Sequence, residues 1–125
     1  MATFDADIYD TAAREKEVEI TTYGRKSGKP SRRIIWITAL DGRIYVRSGL
    51  GMTRDWPKNL AANGRGVLHM DGKDVPVTAR HVTDPEEARS MHAPVKAKYD
   101  AERPASSGQQ PLTPSEEAVF ELTPA

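Results

Sequence analysis

Hydrophobic and polar positions change period several times along this chain, and the changes mark its elements. Phe4, Ile8 and Ala12 recur at intervals of four beside Tyr9, which predicts a short amphipathic helix over residues 4–15. Residues 17–23 (EVEITTY) alternate and are rich in β-branched side chains, the pattern of a strand. Residues 24–30 (GRKSGKP) form a turn, in which Gly24 and Gly28 permit positive φ and Pro30 interrupts the ladder. The unbroken apolar run in RRIIWITAL predicts a second strand buried on both faces. Asp41 and Gly42 then make a type I′ hairpin signal leading into RIYVRS.

After a glycine-bearing loop, residues 54–63 (RDWPKNLAAN) read as a helix. Thr53 is its expected N-cap, Pro57 fits its first turn, and Asn63 with Gly64 closes it. Strand RGVLHM, a second hairpin at Asp71 and Gly72, and strand KDVPVTARHV follow, with Val75, Val77 and Ala79 sharing one face. The stretch 85–100 reads as a helix capped by Asp84, with Pro85 at its first position, Glu87 closing a capping box, and Pro94 kinking or splitting it. Residues 104–115 are a Pro/Ser-rich loop, and EEAVFELTP is the last strand. About six strands, two hairpins and three peripheral helices fit a mainly β antiparallel barrel. A doubly wound sheet needs strictly alternating units, which are missing.

The length, 125 residues, suits one domain with a single core. Hydrophobic residues make up 38% of the chain and aromatics only 6%, so the core is lean. A partner copy or a cofactor would supply further burial, and the expectation is a homodimer joined through an apolar sheet face. Lys and Arg number 18, matched by 18 Asp and Glu, so nothing global points to nucleic acid. Cysteine is absent, which removes disulfides, thiolate catalysis and thiolate-bound metal. No stretch reaches the roughly 20 apolar residues of a membrane helix, and the acidic N-terminus does not resemble a signal peptide, so a cytoplasmic location is expected.

Against this neutral background, Arg25, Lys26, Lys29, Arg32 and Arg33 crowd around the first turn. Glycines let backbone amides approach an anion, and the cations supply charge-assisted bonds, so a phosphate or polycarboxylate would suit the turn. A solvated hairpin tip explains the same charges. His69, His81 and His92 lack metal-ligand spacing, and His81 shares strand parity with Val77 and Ala79, as a satisfied, partly buried histidine would. Trp36 reads as core. Glu86 and Glu87 point apart on a helix and are no acid/base pair.

The segments TTYGRKSGKPSRR, GLGMTRDWPKNLAANG and VPVTARHVTDPEEA, in this order around the two hairpins, resemble the deazaflavin-dependent nitroreductase family. The resemblance runs over about residues 18–99 and returns at AVFELTP. It implies a split β-barrel that uses coenzyme F420, with FMN as the alternative cofactor and a small enone, quinone or nitro-aromatic compound as acceptor. Arg25, Lys26, Ser27, Gly28 and Lys29 would grip the coenzyme's phosphate and oligoglutamate tail. Ser31 stands where the family usually has a further arginine, a place that Arg32 or Arg33 would fill. Ser48, Gly49, Leu50, Gly51, Met52 and Arg54 would wrap the deazaflavin ring, with Trp56 and Asn59 on the helix behind them. On the substrate side Tyr99 is retained while two further family tyrosines are missing. Three functions follow: a reductase passing hydride from reduced F420 to a small acceptor, a non-catalytic carrier of F420 or another anion, and an FMN-binding relative.

Overall fold

The computed structural model describes residues 4–99 and 105–125. Its elements are α1 (Ala6–Arg14), β1 (Glu17–Tyr23), β2 (Pro30–Leu40), β3 (Arg43–Arg47), a 3-10 turn (Gly51–Thr53), α2 (Asp55–Asn63), β4 (Arg65–Met70), β5 (Lys73–His81), α3 (Pro85–Ser90), α4 (His92–Tyr99) and β6 (Val119–Pro124). The six strands close into an antiparallel barrel in the order β1-β2-β3-β6-β5-β4. This is the mainly β split-barrel architecture expected from the strand pattern.

Turn chemistry fixes the register. Asp41 and Gly42 have φ of 51° and 79°, and Asp71 and Gly72 have 53° and 70°, so both loops are type I′. Leu40 therefore pairs with Arg43 and Met70 with Lys73. Alternation then sends Ile20, Ile35, Ile37, Ile44, Val46, Leu68, Val77, Phe120 and Leu122 into the barrel, where Ala12 of α1 and Leu60 of α2 plug the core. A second cluster lies outside the barrel wall: Tyr45 and Val119 pack against Val82, Ala88, Met91 and Val95. Lys98 ties α4 to the barrel, donating to the carbonyls of Ala12 and Ile37 at 2.8 and 2.6 Å, and burial lowers its ammonium to about 8.

Several local expectations are corrected. β2 is buried on both faces only over its second half, because the outer helices stop covering it near Trp36 and leave Ile34 65% exposed. Pro30 starts β2, paired with Tyr23, rather than interrupting the ladder; a first strand position needs no N–H from it. Gly24 keeps φ out of the positive range, which Gly28 alone of the pair adopts at +70°. Thr53 does not cap α2: its hydroxyl donates to Leu50 O within the 3-10 turn, and Arg54 precedes the helix without a side-chain cap. Asp84 accepts from Glu87 N as expected, but the Glu87 carboxylate turns to Arg80 and Tyr45, so only half of the capping box forms. The predicted helix 85–100 is two helices broken at Met91, with Pro94 in the first turn of the second. The last strand begins at Val119, after turns at Glu116 and Glu117. Expectations that touch residues 1–3 and 100–104, including the start of the Pro/Ser-rich loop, lie outside the described residues. Among the described residues no helix is long and apolar enough to cross a membrane.

Candidate functional site

β2 is longer than its neighbour. It pairs with β1 from Pro30 to Trp36 but with β3 only from Ile37 to Leu40. Beyond Arg47 the chain leaves the sheet, and the gap between β2 and segment 48–54 opens as a cleft of about 540 Å³. Trp36, Thr38 and Tyr45 line it from the barrel wall, Met91 and Val95 from the helical side, and Ser48, Gly49, Leu50, Arg54 and Trp56 from the opposite loop. Arg33, Arg47 and Arg54 bring cations to the lining, and Glu17 and Asp55 bring anions. A flat, partly apolar ligand carrying negative charge is the chemistry such a surface accepts.

The loop is held from behind. Ser48 N donates to Ala118 O and Gly51 N to Ser48 O, each at 3.0 Å. Gly51 has φ +73°, and a Cβ there would lie 2.9 Å from both Cβ and the carbonyl oxygen of Pro114. Its missing side chain makes room for segment 105–115. That segment is itself clamped at two points. Arg89 donates to Ser106 Oγ, Gly108 O and Gln110 O at 2.9, 3.1 and 2.7 Å. The buried Glu116 carboxylate accepts from Ser106 Oγ at 2.6 Å, Thr113 N at 2.9 Å and Ser106 N at 3.2 Å.

The basic turn lies past the start of α2. Gly24 N donates to Lys29 O at 2.9 Å, Gly28 N to Gly24 O at 3.0 Å, and Lys29 N to Ser27 Oγ at 3.1 Å. Arg25 Nη1 donates to Asn59 Oδ1 at 2.9 Å, and Arg25 Nη2 lies 3.6 Å from Asp55 Oδ1. Asn59 is buried and its amide reaches Thr22 Oγ1 at 3.3 Å, so it ties the turn, α2 and β1 together. Lys26 and Lys29 stay exposed.

The sequence-predicted residues thus fall into three groups. Arg33, Ser48, Gly49, Leu50, Arg54 and Trp56 line the cleft. Arg25, Lys26, Ser27, Gly28 and Lys29 form the turn beside it. Outside both, Arg32 bonds Glu19 on the outer face, Gly51 abuts the 105–115 segment, and Met52 packs on the core. Trp36, Tyr45, Arg47, Met91 and Val95 escaped sequence reasoning because they meet only in space. The outward parity of Trp36, opposite to Ile35 and Ile37, was the one signal available.

Tyr99, expected on the substrate side, is packed against the barrel wall. It stands outside the cleft lining, stacked on Trp36 with ring centroids 4.1 Å apart and planes 2° from parallel. Its hydroxyl lies 2.6 Å from Lys16 O, 2.7 Å from Ile37 O and 2.9 Å from Ile37 N, and burial raises its pKa. It is a prop behind Trp36. Tyr99→Phe should cost about 1–3 kcal/mol of stability in a denaturant titration, because backbone groups lose their partner.

His81 is a satisfied histidine, stacked on Phe120 at 4.7 Å with Nε2 2.7 Å from Glu117 O. His69 bridges Thr21 Oγ1 and Asp74 Oδ1 at 2.6 and 2.7 Å. Among the described residues no group of three His, Cys, Asp or Glu could hold a metal ion.

A family profile described as "uncharacterized protein conserved in bacteria" (DUF2255) matches residues 9–122. Comparison with curated proteins finds no match. Among solved structures, an F420 reductase is 13% identical, with 93% of this chain and 91% of that chain covered and a TM-score of 0.63. A FAD-binding protein from Mesorhizobium loti is 15% identical over 98% and 91% of the two chains, with a TM-score of 0.64. The haem storage protein HutZ from Vibrio cholerae is 13% identical over 98% and 91%, with a TM-score of 0.63. At such identities the likeness carries the fold.

Proposed function

The chain belongs to the DUF2255 family, and from that premise and the cleft we propose that it binds a deazaflavin, coenzyme F420, and passes hydride from the reduced coenzyme to a small organic acceptor. The carrying observation is an aromatic cleft lined by Trp36, Tyr45 and Trp56 whose lining residue Asp55 pairs with Arg25 of the cationic turn, where Lys26 and Lys29 are exposed. The residues fit the group. Segment 48–54 and the barrel wall would enclose the ring, and Lys26, Lys29 and the backbone of Ser27 and Gly28 would meet the anionic end. When bound, the reduced deazaflavin supplies a hydride from its C5. The chain supplies orientation through the loop and Trp56, exclusion of water through Met91 and Val95, and charge through Arg33, Arg47 and Arg54. The structural likeness to an F420 reductase, a FAD-binding protein and a haem storage protein supports a flat ligand of this general type. No histidine lines the cleft among the described residues, which favours a flavin or deazaflavin over haem held by histidine.

The test is a titration of the purified protein with F420, FMN and haem, followed by absorbance. The expected order is F420 tighter than FMN, with haem weakest; haem binding alone would overturn the proposal. Lys26→Ala should weaken F420 roughly tenfold, since a charge-assisted bond contributes about 1.5 kcal/mol or more. Binding should also weaken as salt rises. Lys26 is the cleaner probe, because Arg25 also docks the turn on α2. Unchanged affinity in Lys26→Ala at every salt concentration would return the turn to a solvated hairpin tip.

A second reading, a non-catalytic carrier of the same ligand, is favoured by Tyr99, whose hydroxyl is committed to backbone. Tight F420 binding without oxidation of the reduced coenzyme by a panel of quinones and enones would select it. The rim residues Ile34 and Leu50 are 65% and 53% exposed, which supports a homodimer that covers them. A monomer in sedimentation at micromolar concentration would exclude that assembly.

A further inference from the structure

Away from the cleft, three side chains on the outer face of the barrel stand as a nucleophile stands to its base. Alternation along β1 turns Val18, Ile20 and Thr22 inward and leaves Glu19 and Thr21 on the outer face. Strand register sets His69 of β4 opposite Glu19, and Asp74 of β5 opposite His69. The imidazole reaches diagonally to Thr21: Nε2 lies 2.6 Å from Thr21 Oγ1, while Nδ1 lies 2.7 Å from Asp74 Oδ1. An ionised carboxylate can only accept, so Nδ1 carries the proton of the neutral ring. Nε2 is left as the acceptor, and the Thr21 hydroxyl donates to it. Hydroxyl, imidazole and carboxylate thus follow the order and spacing of a hydrolytic relay, which is defined by geometry and roles rather than by chain order. A fourth group lies beside them. Arg32 faces Thr21 directly across the β1–β2 ladder, which places their Cβ atoms about 5 Å apart. Among the described residues its guanidinium bonds only Glu19 Oε1, at 3.2 Å, so further N–H groups are free to meet an oxyanion. A groove of about 350 Å³ opens beside His69, with Glu15, Glu17, Glu19 and Asp71 in its lining. Those carboxylates favour a substrate that carries positive charge.

We propose that Thr21, His69 and Asp74 form a second active site, an acyl-transfer centre for small esters or thioesters of a cationic alcohol or thiol. Thr21 Oγ1 attacks the acyl carbon while His69 Nε2 takes the hydroxyl proton, and Arg32 donates to the oxygen of the tetrahedral adduct. The bond from that carbon to the leaving oxygen or sulfur then breaks, and His69 returns the proton to the departing group. Water, giving its proton to the same nitrogen, cleaves the acyl-threonine, and the acid departs with the Thr21 hydroxyl restored. Thr21 and His69 are the catalytic residues. Asp74 is a positioning residue, which acts through Nδ1 by holding the ring in the required tautomer. The reaction is a hydrolysis at a separate face, so it does not depend on the deazaflavin reading.

Acetylthiocholine is the probe, given to the full chain without added coenzyme, and release of thiocholine is followed with a thiol reagent. The chain has no cysteine to interfere. The parent protein should turn over at least about tenfold faster than Thr21→Val, which keeps the shape and the strand preference but lacks the hydroxyl. Thr21→Ser should restore the rate. With the parent, the rate should rise with pH along a sigmoid that His69→Gln abolishes. Asp74→Asn should lower kcat about tenfold or more and leave KM unchanged, a split that a merely structural role would not produce. A fluorophosphonate should label the parent at Thr21, as located by mass spectrometry. Equal rates in the parent and in folded Thr21→Val would overturn the proposal. So would turnover no faster than in buffer, or labelling that spares Thr21; the three side chains would then only tie β1, β4 and β5 together. Should Thr21→Val fail to fold, the site of the fluorophosphonate adduct decides.

Discussion

Glu116→Ala is expected to lower the free energy of unfolding by about 3 kcal/mol, a drop of roughly 10 °C in the thermal midpoint of a domain this size. The carboxylate is 1% exposed and gathers Ser106 Oγ, Ser106 N and Thr113 N. Truncation leaves these half-buried donors without an acceptor. Glu116→Gln should be nearly as damaging despite its matched shape, because an amide offers one acceptor where the carboxylate offers two. Burial alone would raise the Glu116 pKa, but the hydrogen bonds from Ser106 and Thr113 outweigh it and hold the group below the ordinary carboxylate range. Its folded pKa therefore lies under its unfolded one. The stabilisation is complete above the ordinary carboxylate range and disappears as pH falls through the lower folded value. Parent protein and Glu116→Gln should converge in stability in acid and separate near neutrality. A constant gap across that range would show that the carboxylate's charge contributes nothing.

Gly51→Ala is expected to cost about 2–4 kcal/mol and to weaken any cleft ligand at the same time. Two penalties add: an L residue at φ +73° carries about 1 kcal/mol of strain, and the new methyl meets the Pro114 backbone, which cannot swing aside as a side-chain end would. Relief requires either segment 105–115 or segment 48–54 to shift, and the latter lines the cleft. Calorimetry and an FMN or F420 titration on the same sample check both effects. An alanine variant with parental stability would mean that the two segments do not press on each other. Gly42→Ala is a control for backbone strain, since φ there is +79° with nothing within 4 Å of the added carbon.

The strands were legible in the sequence because their information is local. The alternation over residues 17–23 and the two Asp-Gly pairs fix register with no help from distant residues. What escaped depends on packing. The apolar run in β2 does not reveal that the helices stop at Trp36 and leave Ile34 bare. Glu87 has the right spacing for a capping box, yet Arg80 and Tyr45 offer its carboxylate stronger partners across the sheet. The cluster of cations in residues 25–33 stands out by composition, but the docking of Arg25 on Asn59 spans 34 positions. The cleft was half visible. Its glycine-rich loop has a local signature, whereas Trp36, Met91 and Val95 come from a strand and from the helices far along the chain.

β6, which follows the other strands in sequence, is an interior stave of the barrel: it fills the place between β3 and β5. Val119 must find Arg47 across most of the sequence before the wall is whole. A chain still being synthesised can form the β1–β2–β3 meander and the β4–β5 hairpin early, since each closes through short loops. Until residues 119–124 arrive, β3 and β5 each carry an open edge able to recruit strands from other chains. Closure of the barrel thus waits on residues 119–124, and a chain that lacks them is the form most exposed to aggregation.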